Sequence, residues 1–180
     1  GYQTSLHRPS CDEFIVDNTS LPIDVTIENE EACQRYACVS LSGCNVKESP
    51  EWLQNKLRVI GLRPINNIVD ITNYIMMAYG QPLHCFDADM VTGGHIIVKT
   101  MPEGTPFVTL DGIEHKLSAN DLAICNEEEA MCIAGVFGGK GSGTYDTTCN
   151  VVLESAYFNP TWIRKSARRH GLSTDASFRF

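Results

Sequence analysis

From His95 to Ser155 the chain offers one short, strand-like apolar run after another with no helical stretch between them, and this grouping constrains the fold more than any other feature. A doubly wound parallel sheet needs a crossover helix after nearly every strand, so the pattern does not fit one. His95 to Thr100 reads as a strand, and Phe107–Leu110, Asp111-Gly112 and Ile113–Leu117 read as a hairpin with a tight Asp-Gly turn. Leu122–Cys125 and Met131–Val136 form a second pair, broken at Asn126–Glu129, and Val151–Ser155 ends the series. Two further strand patterns, Asp24–Glu28 and Tyr36–Leu41, come before it.

The helical signals lie outside this block. Ser49-Pro50-Glu51 supplies an N-cap, a proline at the first helical position and an acid in the first turn, followed by Trp52, Leu53, Leu57 and Ile60 at helical spacing up to Gly61. Arg63-Pro64 forces an extended link, after which Asn66 or Asn67 caps a helix stopped by Gly80 and Pro82. Asn159-Pro160 opens a third helix that Gly171 closes. The expected fold is α+β: mixed, mainly antiparallel sheets with flanking helices, in two interlocked subdomains around a cleft. Residues 1–20 read as a linker remnant, open to disorder, and residues 21–180 as the domain.

With 180 residues, 43% of them hydrophobic, the chain can bury a core without a metal or disulfide. Its longest unbroken apolar run, Tyr74–Tyr79, falls far short of the roughly 18 residues a membrane span needs. A net charge of −8 excludes coating of nucleic acid by bulk charge. The exception is Thr161–His170, where Arg164, Lys165, Arg168 and Arg169 stand with no acid. Helical spacing puts Arg164 with Arg168, and Lys165 with Arg169, on shared stripes. These cations either offset the helix dipole on a solvated face or dock a polyanion. Eight cysteines, none in a Cys-x-x-Cys pair and several inside apolar runs, are expected to be reduced core residues of a cytosolic protein.

The cluster Gly135, Gly138, Gly139, Gly141 and Gly143 is not a phosphate loop: Ala134 stands where a Walker pattern needs glycine, and Gly141 where it needs Ser or Thr. No Gly-x-Ser-x-Gly elbow occurs. The glycines therefore serve backbone geometry or line a pocket wall. His84, Asp87 and Asp89 lack the second His or Cys that a zinc or manganese site would want, so no metal is expected. His84 is then structural or catalytic. Glu154 lies in Val151-Val152-Leu153-Glu154-Ser155-Ala156, apolar on both faces, where a carboxylate must find donors or take a raised pKa. A structural partner and a ligand hydroxyl are equally good candidates for that donor.

Several long motifs resemble one family. Gly61-Leu62-Arg63-Pro64-Ile65-Asn66-Asn67-Ile68-Val69-Asp70-Ile71-Thr72-Asn73-Tyr74 and Gly80-Gln81-Pro82-Leu83-His84-Cys85-Phe86-Asp87 are similar to the signature of the β subunit of bacterial phenylalanyl-tRNA synthetase. Ala134-Gly135-Val136-Phe137-Gly138-Gly139, Leu153-Glu154-Ser155-Ala156-Tyr157-Phe158 and Arg164–Thr174 continue it, so that the resemblance spans residues 24–180.

The resemblance implies that subunit's central editing domain, which hydrolyses tyrosine wrongly attached to the phenylalanine tRNA. It implies an α2β2 parent ligase in the cytoplasm, whose α subunit uses ATP and magnesium; this stretch itself would hold no cofactor. The implied partners are the mischarged tRNA and the α subunit, with neither membrane nor DNA. Carried over by position, the catalytic residues would be His84, Thr72 and Asn73, and the substrate would lie against Glu154, Gly135, Ala134, Gly138 and Ala176. Glu154 and the Gly135 N–H would hold the tyrosine phenol, while His84, Thr72 and Asn73 orient the ribose and the water. Water activation stays open between His84 and the tRNA ribose hydroxyl with ordered waters. Arg164, Lys165, Arg168 and Arg169 are candidate tRNA contacts. The alternative is a noncatalytic module that keeps the fold for tRNA docking.

Overall fold

The structure, a computed structural model, describes residues 3–5 and 8–180. Of the expected linker, residues 1, 2, 6 and 7 lie outside the described residues; the remainder up to residue 20 is exposed and carries no helix or strand. Regular structure begins with β1 (Asp24–Ile27).

Three sheets form. β1, β4 (His95–Thr100), β7 (Leu122–Cys125), β8 (Ala130–Ile133) and β9 (Phe137–Gly138) make a five-stranded sheet in which only β1 and β4 run parallel. β10 (Val151–Phe158) lies between β2 (Cys33–Leu41) and β3 (Leu83–Asp87) in an antiparallel three-stranded sheet. β5 (Thr105–Val108) and β6 (Glu114–Leu117) form a separate hairpin. This is the mainly antiparallel α+β arrangement the strand grouping demands.

One hydrophobic cluster joins the two larger sheets, with Phe86, Val152 and Phe158 from one and Ile96, Ile124 and Ile133 from the other. From Val152 onward β10 alternates: Val152, Glu154, Ala156 and Phe158 are all buried, whereas Leu153, Ser155 and Tyr157 are partly or fully exposed; Val151, at the strand's start, is buried as well. Glu154 therefore stands on the core face of a central strand.

α1 (Glu51–Val59) and α2 (Asn67–Tyr79) pack together outside the sheets. α2 starts and stops as its sequence dictates: Asn66 accepts from the Val69 N–H, and Gly80 ends it in the left-handed region. α1 starts differently. Pro50 takes the cap position, and the Ser49 hydroxyl donates instead to the buried Asp70 carboxylate at 2.5 Å. A bond to a buried charge outweighs a bond to a helix end that water can solvate. Trp52, expected on the buried face of α1, is 56% exposed and meets Tyr74 edge to face at 5.9 Å. The Asp111-Gly112 pair does turn the β5–β6 hairpin, with φ +83° at Gly112, but within a five-residue loop rather than a tight two-residue one. Asp111 accepts from the Thr109 hydroxyl at 2.5 Å, which closes that wider loop.

The eight cysteines form no disulfide. Cys33, Cys85, Cys125 and Cys132 are buried as expected, but Cys11 and Cys149 are exposed and belong to no core. Burial pushes the Cys33 thiol up to about 11 and Cys85 to about 12. A thiol reagent added to the folded protein is expected to modify Cys11 and Cys149 first and the four buried thiols only on unfolding, as mass spectrometry of the labelled peptides would show; early labelling of Cys85 would contradict this. No helix among the described residues is long and apolar enough to cross a membrane.

A buried carboxyl and imidazole in the candidate active site

The sequence motifs around His84 and Glu154 meet because β3 and β10 are neighbours. Their register places His84 directly opposite Glu154, and both side chains leave the same face of the sheet. Side chains in such a pair stand with Cβ atoms about 4.5–5.5 Å apart. Sequence reading assigned no strand to Leu83–Asp87, having weighed His84, Asp87 and Asp89 together as metal ligands and set that reading aside. In the fold Asp87 instead accepts from the Thr148 hydroxyl at 2.6 Å and from the Asp89 N–H at 3.0 Å, while Asp89 accepts from Asn150.

Across from this pair runs the chain reversal between β8 and β9. The Val136 N–H bonds to the Ile133 carbonyl, and Gly135 at the third turn position has φ +65°, a conformation that calls for glycine. A Cβ at Gly135 would come within 2.9 Å of the Phe180 ring, and one at Gly138 within 3.0 Å of His84 Cε1. Both glycines are thus close-approach positions, and they form one wall of a cleft. α4 (Asp175–Arg179) closes the end, supplying Ala176, with Phe180 just after it. Its cap residue Thr174 donates to the Val136 carbonyl at 3.0 Å, and Arg179 reaches Met77 of α2, so the helix is tied to the turn and to α2.

The two ionisable groups are strongly perturbed. His84 Nε2 is buried with no hydrogen-bond partner among the described residues, and the ring sits edge to face with Phe86 at 4.6 Å. Burial lowers its pKa to about 4, so the imidazole is neutral at pH 7. Glu154 is 5% exposed; burial raises its carboxyl to about 7, against a smaller opposing effect of the hydrogen bond from the Tyr36 hydroxyl. A carboxyl poised between its two states and a neutral imidazole therefore share one cleft.

The B3/4 domain profile matches residues 32–180. The chain belongs to the B3/4 domain family. Over its full length it is 70% identical to the phenylalanine–tRNA ligase β subunit of Bacteroides fragilis and 68% identical to that of Bacteroides thetaiotaomicron, spanning 22% of each. A more distant relative, the β subunit of Geobacter metallireducens, is 45% identical over 96% of this chain, again 22% of its own length. In fold, this B3/4 domain matches an N-terminal fragment of the phenylalanyl-tRNA synthetase β subunit of Pyrococcus horikoshii, with a TM-score of 0.58 at 12% identity, over 89% of this chain and 52% of that one.

Of the residues singled out from sequence, the B3/4 domain brings His84, Gly135, Gly138, Glu154 and Ala176 to the cleft. Ala134 lies one residue behind its wall, fully packed, with its N–H on the Leu122 carbonyl. The Gly135 N–H has no backbone partner among the described residues. Thr72 and Asn73 stay on α2 and do not line this cleft; the Thr72 hydroxyl donates to the Val69 carbonyl at 2.7 Å. Sequence reading missed Tyr36 and Phe180, neither of which carried a local signal of contact with Glu154 or Gly135.

The basic helix α3 (Pro160–His170) is only partly free. Arg164, Lys165 and Arg168 are exposed, but Arg169 pairs with the buried Asp121. A larger cavity of about 390 Å³ opens on the far side of the glycine loop, among Met101, Phe107 and Met131. It has no histidine and no buried ionisable side chain, so its size alone does not make it the site.

Proposed function

We propose that this domain hydrolyses the ester of tyrosine wrongly attached to the phenylalanine tRNA, as part of a phenylalanine–tRNA ligase β subunit that works with an α subunit. The observation that carries the reading is the position of Glu154: a carboxyl buried in a cleft that Gly135 and Phe180 border, with one oxygen unbonded among the described residues. Such a group can accept a phenol hydroxyl. Phenylalanine would leave it unmatched.

A synthetic site rejects tyrosine poorly when the difference is one added hydroxyl, by roughly 100-fold for an isosteric case. A second site that requires the hydroxyl sorts the two esters with the opposite sign. The reaction adds water to the ester carbonyl, and the tetrahedral intermediate expels the ribose oxygen, which leaves with a proton. Neutral His84 can hold the water or the ribose hydroxyl by a hydrogen bond. Its lowered pKa makes it a weak proton acceptor, which favours an orienting role over that of a strong base. The cleft offers about 70 Å³, less than the roughly 150 Å³ of a cavity that takes up benzene, so a phenol ring needs more room than this conformation gives it.

Deacylation of tyrosyl-tRNA by the full-length synthetase tests the reading: His84→Ala should slow it, while an unchanged rate would count against the cleft. A second prediction concerns the wall. Gly138→Ala should keep the fold, since φ there is ordinary, but its Cβ would press on the Leu110 methyl at 2.9 Å and on His84 Cε1 at 3.0 Å, crowding the imidazole. Deacylation is expected to fall on the order of 10- to 100-fold, the cost of small misplacements in an active site, with little change in melting temperature. The docking alternative keeps Arg164, Lys165 and Arg168 exposed on α3, with Arg169 tied to Asp121 at its edge, and nothing in that alternative calls for a buried carboxyl beside a neutral imidazole.

A further inference from the structure

The inner face of the three-stranded sheet carries one polar side chain that the reading above leaves without a role. β2 pairs with β10 so that Cys38 stands opposite Glu154 and Tyr36 opposite Ala156. Tyr36 is thus the diagonal neighbour of Glu154, and its hydroxyl donates to Oε2 at 2.6 Å. No described residue bonds to Oε1. We infer that Tyr36 is the positioning residue of the selective site: by taking Oε2 it fixes the rotation of the Glu154 carboxyl and leaves Oε1 as the oxygen offered to a phenol in the cleft. This inference rests on the editing reading and names the device behind its selectivity.

The chemistry follows from what faces Glu154. His84 stands opposite on β3, Cys33 and Cys38 lie on β2 and Cys132 on β8, while Cys85, next to His84 and opposite Leu153, leaves the other face of the sheet but still feels the Glu154 charge. Burial and the Glu154 charge hold all four thiols protonated through neutral pH, and His84 is neutral there. Tyr36 itself is held well above its ordinary range by burial and by Glu154, so it keeps the proton it donates. It is the one side-chain donor to the carboxyl among the described residues. Burial favours the protonated form of Glu154. The Tyr36 bond opposes this and favours the carboxylate, which accepts a phenol hydroxyl more strongly than the neutral acid does.

The test is the ratio of tyrosyl to phenylalanyl ester hydrolysis by the full-length synthetase between pH 6 and 9, corrected for uncatalysed loss, for the wild type, Tyr36→Phe, Glu154→Gln and the double variant. The wild-type ratio is expected to climb as pH rises through about 7, following Glu154. In Tyr36→Phe the climb should move to higher pH by about one unit, the size expected for losing one hydrogen bond to a charged group. In the Glu154→Gln background, removing the Tyr36 hydroxyl should leave the profile where it was. A merely structural role for Tyr36 would lower both rates without moving the midpoint. A Tyr36→Phe profile that superimposes on a selective wild type overturns the inference and leaves the editing reading standing, whereas a wild type with no preference at any pH overturns both.

Discussion

Glu154→Ala should flatten the preference between tyrosyl and phenylalanyl esters by roughly 10- to 100-fold, the value of a hydrogen bond to a charged group, while slowing phenylalanyl ester hydrolysis far less. The asymmetry is the point. A carboxyl that reads the phenol contributes to one ester only, whereas one that merely supports the fold would lower both rates together. Steady-state deacylation of the two esters separates these outcomes, and equal losses would contradict the assigned role.

The same residue makes a second claim, about stability. With the folded carboxyl at about 7 and its ordinary value at 4.5, the folded state holds the proton more tightly than the unfolded one. Stability associated with Glu154 is therefore full below about pH 4.5 and is lost as pH rises through 7, by about 3 kcal/mol in total. Glu154→Gln, which carries no charge to desolvate, is expected to be more resistant to urea than the wild type at pH 8 and no more resistant at pH 4.5. A carboxyl that costs the fold stability at neutral pH is what a binding site, not a packing requirement, would retain.

Asp121→Ala carries the largest expected loss of stability, about 3–5 kcal/mol, because it removes one partner from a buried charge network. Asp121 is fully buried and accepts from the Ser166 hydroxyl at 2.6 Å, the Ser118 N–H at 2.8 Å, His170 Nε2 at 2.7 Å and Arg169. These bonds join α3 to the turn between β6 and β7. Burial raises the carboxyl's pKa, but the bonds from Ser166, Ser118 and His170 together outweigh it and hold the group below its ordinary value. Its contribution is therefore present above about pH 4 and lost as pH falls through the lowered value. The loss is a large share of the total stability of roughly 5–15 kcal/mol usual for a domain. Urea unfolding of the variant at pH 7 checks it; a change under 1 kcal/mol would mean that the network relaxes or fills with water.

Local signals were legible wherever one residue decides the geometry. Asn66, Gly80, Asn159 and Gly171 end their helices as read, because a cap or a left-handed residue acts within one turn. Glu154 was legible for a related reason, as a carboxylate with apolar neighbours on both faces of a strand. Its donor was not: Tyr36 lies 118 residues away, and only the β2–β10 register brings the two together. The engagement of Arg169 is hidden in the same way, since Asp121 sits in a turn 48 residues earlier. Ser49 misled because an equally local option, the cap, lost to a long-range bond with Asp70.

The most direct test of the central claim is the hydrolysis of tyrosyl- and phenylalanyl-tRNA, both of the phenylalanine tRNA, by the full-length synthetase that contains this domain. Cleavage of the tyrosyl ester at least tenfold faster than the phenylalanyl ester is expected if the cleft selects for the phenol. Equal rates on the two esters, or cleavage of neither, would contradict it.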